Sequence, residues 1–246
     1  VIEETRNLQK KLESVAGLSK EQARSELVEA LKEDAMKLSD ISEDKVKVIY
    51  RTPNIQDKVL APQIEKFSGV INIFSLSRIH WKKCISESLI AIKSLKDQGF
   101  LVKYHIIGGF QGYENQKLLY LIKHLQLEDD VKLWGYMPES EYKILLKQMH
   151  IFWLTSVNEG VPNSLYYVLL SGFPVVAAKT NGIPEILSDG ENGLLFESYN
   201  FNDLLEKTKL LIKDNDLRIK LQKNAMTTKF QTIKNEVEQY KVLYRD

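Results

Sequence analysis

A single cysteine, Cys84, among 246 residues excludes an internal disulfide framework. No run of about twenty apolar residues occurs, so the chain carries no candidate membrane-spanning helix, and no secretory leader is recognisable. A soluble, cytoplasmic protein is the expectation. Charge of one sign is also missing. Thirty-four Lys and Arg stand against thirty-three Asp and Glu, a formal net charge of +1, so no global field draws the chain onto nucleic acid or an anionic membrane. Nucleic acid is not an expected partner, and any anion must be met by local charges. His80, His105, His124 and His150 are scattered without metal-ligand spacing, and the cation-rich loops carry no clustered Asp, His or Cys. No metal or cofactor is expected. Spaced glycines of the dinucleotide-binding kind are absent after the first core strand, where Ser77 and Arg78 stand instead, which disfavours a nicotinamide domain.

Hydrophobic residues make up 43% of the chain, enough for one large core or two small ones. The chain opens at Val1 without Met and runs straight into a charged helical pattern, which predicts a piece of a longer polypeptide. Residues 1–15 and 18–38 read as amphipathic helices. A short apolar strand at Val46, Val48 and Ile49 leads into a turn at Thr52, Pro53 and Asn54. Residues 1–60 therefore read as an attachment segment. From Gly69 onward, apolar runs near 70–76, 101–107, 131–134, 150–155, 174–178 and 193–196 alternate with helical patterns near 84–97, 114–125, 139–148 and 163–171. Uninterrupted runs such as Val70–Phe74 and Pro174–Ala178 suit strands covered on both faces. The expectation is an α/β fold: one doubly wound, Rossmann-like parallel sheet over residues 61–228 with flanking helices. Residues 229–246 read as a terminal amphipathic helix.

Ligands of open α/β sheets sit beyond the carboxyl ends of the strands. After the first strand, the segment Ser75–Lys83 sets Arg78 and Lys83 where two cations can neutralise a diphosphate, although the same residues fit solvated charges at a helix start. After the second, Gly108 and Gly109 form a turn that backbone could use to approach a ligand or simply to turn tightly. After the fourth, Thr155–Tyr167 is the most informative segment. Gly160 lets the chain turn, while Pro162, Asn163 and Ser164 are residue types that open a helix with its amides facing the ligand space. Glu159 beside such an anion site is suited to accept hydrogen bonds from sugar hydroxyls just beyond it.

Glu159-Gly160-Val161-Pro162-Asn163-Ser164, Ser171-Gly172-Phe173-Pro174-Val175-Val176-Ala177 and Gly182-Ile183-Pro184-Glu185-Ile186 together resemble the carboxyl-terminal domain of family 4 glycosyltransferases of the GT-B fold. Arg78 with Lys83, Ile106–Gly109, Val131–Tyr136 and Asn192–Phe196 keep the family's order, so the likeness spans about residues 45–230. The resemblance implies a nucleoside-diphosphate sugar as donor, with transfer of the sugar to an acceptor hydroxyl with retention and without a metal. Arg78 and Lys83 fall where the diphosphate is held, Glu159 with Gly160, Val161 and Pro162 where the sugar is held. Asn163, Ser164 and Leu165 fall at the helix start facing the phosphates, and Gly135, Tyr136 and Met137 in the loop lining the nucleobase. Acceptor glycans, lipid-linked sugars or other hydroxyl compounds are the implied partners, together with an amino-terminal domain that this chain lacks; peripheral contact with the inner face of the membrane is left open. Three departures bear on the donor. Tyr167 stands where the family has a second Glu for the ribose hydroxyls, Cys84 stands where a glycine follows the phosphate lysine, and Asn181 replaces the first of a glycine pair. A phenol cannot chelate two hydroxyls as a carboxylate does. A non-catalytic GT-B-like binding module is therefore the alternative expectation.

Overall fold

The computed structural model describes residues 55, 58–62, 66–109, 113–160, 162–230 and 233–243. The helices expected over 1–15 and 18–38, the strand and turn at 46–54, Phe110–Gly112 and Val161 lie outside them. Among the described residues, six strands and eight α-helices follow one another as β1 (Ile71–Leu76), α1 (Ile85–Asp97), β2 (Val102–Ile107), α2 (Tyr113–His124), β3 (Val131–Gly135), α3 (Glu139–Leu146), β4 (Ile151–Leu154), α4 (Asn163–Leu170), β5 (Val175–Lys179), α5 (Ile183–Ile186), β6 (Leu194–Glu197), α6 (Phe201–Lys213), α7 (Asn215–Thr227) and α8 (Ile233–Leu243). A single 3-10 turn, Trp81–Lys83, stands between β1 and α1.

All strand pairs are parallel, in the order β3-β2-β1-β4-β5-β6. Successive residues of a strand face opposite sides. Ile73, Tyr104, Ile106, Trp153 and Val176 accordingly enter one core with Leu89, Ile92 and Leu95 of α1 and Leu204 and Leu211 of α6. Phe74, Ile107, Phe152, Leu154 and Val175 enter the other with Leu146 of α3 and Leu165, Val168 and Leu169 of α4. Coverage on both faces explains why β4 is buried at all four residues, and why its sequence Ile-Phe-Trp-Leu shows no alternation. Trp153 is wholly buried, and its indole N–H donates to Thr208 Oγ1 at 3.0 Å, so the polar atom is not stranded. This is the doubly wound, Rossmann-like architecture that the alternation predicts. The strand order reverses between β1 and β4, which is where a crevice opens at the carboxyl ends.

The four-residue helix α5 has no counterpart among the expected elements. It is one turn long with Pro184 inside it, too short to show periodicity. No helix among the described residues is long and apolar enough to cross a membrane.

Candidate functional site at the carboxyl ends of the strands

Four loops meet at the strand reversal. The β1 loop brings Arg78, His80, Lys82 and Lys83, the β2 loop Gly109, the β3 loop Gly135 and Tyr136, and the β4 loop Asn158 and Glu159. With Ile79 and Glu114, these residues line a cleft of about 900 Å³. Backbone contacts fix the loops to one another. The Ser77 amide donates to Ile107 O at 3.0 Å, Ile79 to Gly109 O at 2.9 Å, and Gly108 to Gly135 O at 2.9 Å. Gly108 is required there by space: at φ +149°, a Cβ would stand 1.9 Å from the Ser77 carbonyl oxygen. It allows close approach of the strand ends, and Gly109, not Gly108, lines the cleft.

Lys83 Nζ and Glu159 Oε1 form an ion pair on the cleft wall, with side chains 22% and 13% exposed. Two groups expected to serve different halves of a ligand thus meet each other. Arg78 makes no side-chain hydrogen bond or ion pair with any other described residue. Lys82 Nζ lies 5.6 Å from the centroid of the Trp81 ring. The cleft therefore offers an exposed guanidinium together with a partly desolvated Lys83–Glu159 pair, where charge-assisted contacts are stronger than in water.

Of the residues singled out by sequence, Arg78, Lys83, Gly135, Tyr136 and Glu159 come together on the cleft. Gly160, Pro162, Asn163 and Ser164 stand outside its lining, although α4 does begin at Asn163 with Pro162 as a cap lacking a side-chain bond. Leu165 is wholly buried, and Met137 packs against the second core. Tyr167 is also turned inward: it is buried, accepts a hydrogen bond from the Val59 amide at 3.1 Å through its hydroxyl, and meets the Tyr142 ring edge-on. His80, Lys82 and Glu114 line the cleft without having been singled out. His80 and Lys82 were legible from their loop, whereas Glu114 reads as an ordinary first-turn acid of α2. The structure holds it there by a 2.9 Å bond from the Trp81 amide.

The Cys84 turn needs a left-handed backbone, at φ 50° and ψ 38°. Asn181 likewise lies at φ 41°. Both replacements of family glycines thus stand at positive φ, where Asn is tolerated and Cys is strained. Burial, followed by the nearby Glu87 carboxylate, pushes the Cys84 thiol up to about 11, so it stays neutral. No group of three or more His, Cys, Asp or Glu able to hold a metal ion occurs among the described residues.

Residues 57–228 match the family described as Glycosyl transferases group 1. The amylovoran biosynthesis glycosyltransferase AmsK of Erwinia amylovora is 35% identical over 131 residues, which are 51% of this chain and 32% of that protein. The chain spans about a third of the length of the first curated relatives it matches. Among solved structures, the carboxyl-terminal domain of the group 1 glycosyl transferase LpcC from Francisella tularensis superposes with a TM-score of 0.57 at 24% identity, over 63% of this chain and 82% of that one. Alr3699/HepE of Anabaena, solved in complex with UDP, superposes with a TM-score of 0.63 at 22% identity, over 71% of this chain and 49% of that one.

Proposed function

The chain belongs to the group 1 glycosyl transferases, its described part being a GT-B carboxyl-terminal domain, and we propose that this part is the donor half of a retaining transferase that binds a nucleoside-diphosphate sugar. The observation that carries this reading is the cleft at the strand reversal, whose lining holds the Arg78 guanidinium, without a polar partner among the described residues, and the Lys83–Glu159 ion pair. The diphosphate is neutralised by Arg78 and Lys83, which also stabilise the charge that develops on the leaving phosphate oxygen when the bond to the sugar breaks. Glu159 accepts hydrogen bonds from the sugar hydroxyls, and Tyr136, at the cleft mouth, borders the base. The acceptor hydroxyl forms the new bond to the sugar carbon as the bond to the diphosphate breaks, and its proton passes to the departing phosphate oxygen. No metal is assigned to this step.

The acceptor is a glycan, a lipid-linked sugar or another hydroxyl compound, and turnover requires an amino-terminal domain that closes over the donor. AmsK's name, which places that glycosyltransferase in amylovoran biosynthesis, supports a biosynthetic role, which we read as polysaccharide assembly. The complex of the Anabaena protein with UDP supports a uridine donor.

Calorimetric titration with UDP, GDP and their sugars tests the proposal. Saturable binding of one nucleotide, tighter with its sugar attached, is the expected outcome. Silence across the panel from a folded sample overturns it.

A further inference from the structure

Beneath the cleft, three successive carbonyls of the loop that carries Lys83 are all captured. Lys82 O accepts from the Val157 amide at 2.9 Å. Lys83 O accepts from the Thr155 hydroxyl at 2.7 Å. Cys84 O accepts from the Ser88 amide at 3.0 Å and lies 2.8 Å from the Ser88 hydroxyl. Ser88 Oγ also lies 3.0 Å from Thr155 Oγ1. Thr155 is 3% exposed and Ser88 not at all. The single hydroxyl hydrogen of Thr155 goes to the Lys83 carbonyl, which leaves its lone pairs facing the Ser88 hydroxyl.

Thr155 follows the last residue of β4, while Lys83 ends the 3-10 turn beyond β1. Their bond therefore crosses the crevice between the two strands where the sheet order reverses. With these carbonyls drawn inward, the Lys83 side chain is left to reach the cleft, where it meets Glu159. The turn also holds Cys84 in a left-handed conformation that only a well-anchored backbone retains.

We infer that Thr155, backed by Ser88, is a positioning residue that sets the Lys83 ammonium against Glu159 and, on the donor-binding reading above, against the donor diphosphate. Its hydroxyl touches no ligand and acts only through the Lys83 backbone. A valine at 155 keeps the shape but leaves a buried carbonyl unmet, which releases the turn.

The test compares Thr155→Val with Thr155→Ser in a chain carrying 13Cε-lysine, the Lys83 resonance being assigned by its loss in Lys83→Arg. Thr155→Val is expected to move the Lys83 resonance toward its position in Glu159→Gln and to weaken UDP binding about tenfold, as loss of one buried hydrogen bond does. Thr155→Ser is expected to keep both values within about threefold and near the native shift. In a Lys83→Ala background, Thr155→Val is expected to add no further loss of UDP affinity. A Thr155→Val chain with a lower melting temperature but a native Lys83 resonance overturns the inference. If Thr155→Val fails to fold, Ser88→Ala carries the test, a smaller shift in the same direction supporting the inference and no shift overturning it. A native chain that does not bind UDP sinks the donor reading alone, because the resonance still decides the position of Lys83.

Discussion

From the amino-terminal end of β1 through the middle of β2 to Trp134 of β3, polar side chains satisfy one another. The Trp134 indole donates to His105 Nδ1 at 3.1 Å, His105 Nε2 stands 3.3 Å from Asn72 Oδ1, the Asn72 amide side chain donates to Gln148 O at 2.8 Å, and the Asn72 backbone amide donates to His150 Nδ1 at 2.8 Å. At the carboxyl end of the same strands, Arg78 has no polar partner among the described residues, Tyr136 is 82% exposed, and the side chains of Lys83 and Glu159 pair with each other. Strain divides the same way. Of four described non-glycine residues at positive φ, three (Cys84, Asn181 and Tyr199) follow the carboxyl ends of strands. One end has its hydrogen bonds met within the chain, and the other keeps an exposed guanidinium without a polar partner among the described residues. The proposed donor site lies at the second.

The sharpest way to test that contrast is to remove the cations. Arg78→Ala and Lys83→Ala are each expected to weaken UDP binding by about 1.5–3 kcal/mol, roughly tenfold to over a hundredfold, the range for a charge-assisted hydrogen bond. Unchanged calorimetric affinity in both variants breaks the assignment. Glu159→Ala separates the two halves of the ligand. It frees Lys83 from its ion pair, so free UDP is expected to bind at least as well as before. The UDP-sugar loses the carboxylate that holds its hydroxyls, and its affinity is expected to fall about tenfold. Equal losses for both ligands remove Glu159 from the sugar.

The first end has its own signal, in pH. Burial first, then Lys103, Lys132 and His150, lower His105 to about 4, and burial followed by Arg218 lowers His150. An unfolded histidine titrates near 6.5. Between about pH 4 and 6.5 the unfolded chain therefore binds more protons than the folded one, and stability rises with pH across that window. It is fully present above pH 6.5 and lost as pH falls toward 4. His105 is only half-buried, so water screening reduces its part to the order of 1 kcal/mol, roughly 2–4 °C in Tm. His105→Gln is expected to flatten the slope of Tm against pH, and Lys83→Ala to leave it alone. A slope identical in His105→Gln and the native chain shows that the network does not carry the pH response.

The difference between the two ends was only half written in the sequence. Apolar runs of strand length marked all six strands because parallel strands buried on both faces need no alternation. Arg78, Lys83 and Glu159 stood out because each follows such a run, and the topology then brings them together. Tyr167 was harder to place. It stands where the resembling family has a second Glu, yet it lies on the buried face of α4 with its ring in packed surroundings. Rotation of a side chain about a helix or a bulge depends on partners distant in sequence, such as Val59 for Tyr167. His105 and Asn72 were illegible for that reason too, since their network joins three strands.

Cys84 offers the smallest and most discriminating test. A side chain in the left-handed region costs roughly 1–2 kcal/mol relative to glycine, so Cys84→Gly relieves strain. Glycine also loses more conformational freedom on folding, which takes back about 0.4–1 kcal/mol. The buried Cys84 side chain, 5% exposed, adds a further small loss. The terms oppose one another, and the net change in unfolding free energy is expected to stay within about 1 kcal/mol. Cys84→Val keeps apolar bulk but places a branched Cβ at φ 50°, where it is a genuine outlier, and is expected to cost clearly more than the glycine variant. Denaturant midpoints of the two variants decide the matter. A valine variant as stable as the glycine one means that the turn relaxes out of the left-handed region, in which case the carbonyls of Lys82, Lys83 and Cys84 do not hold it rigidly.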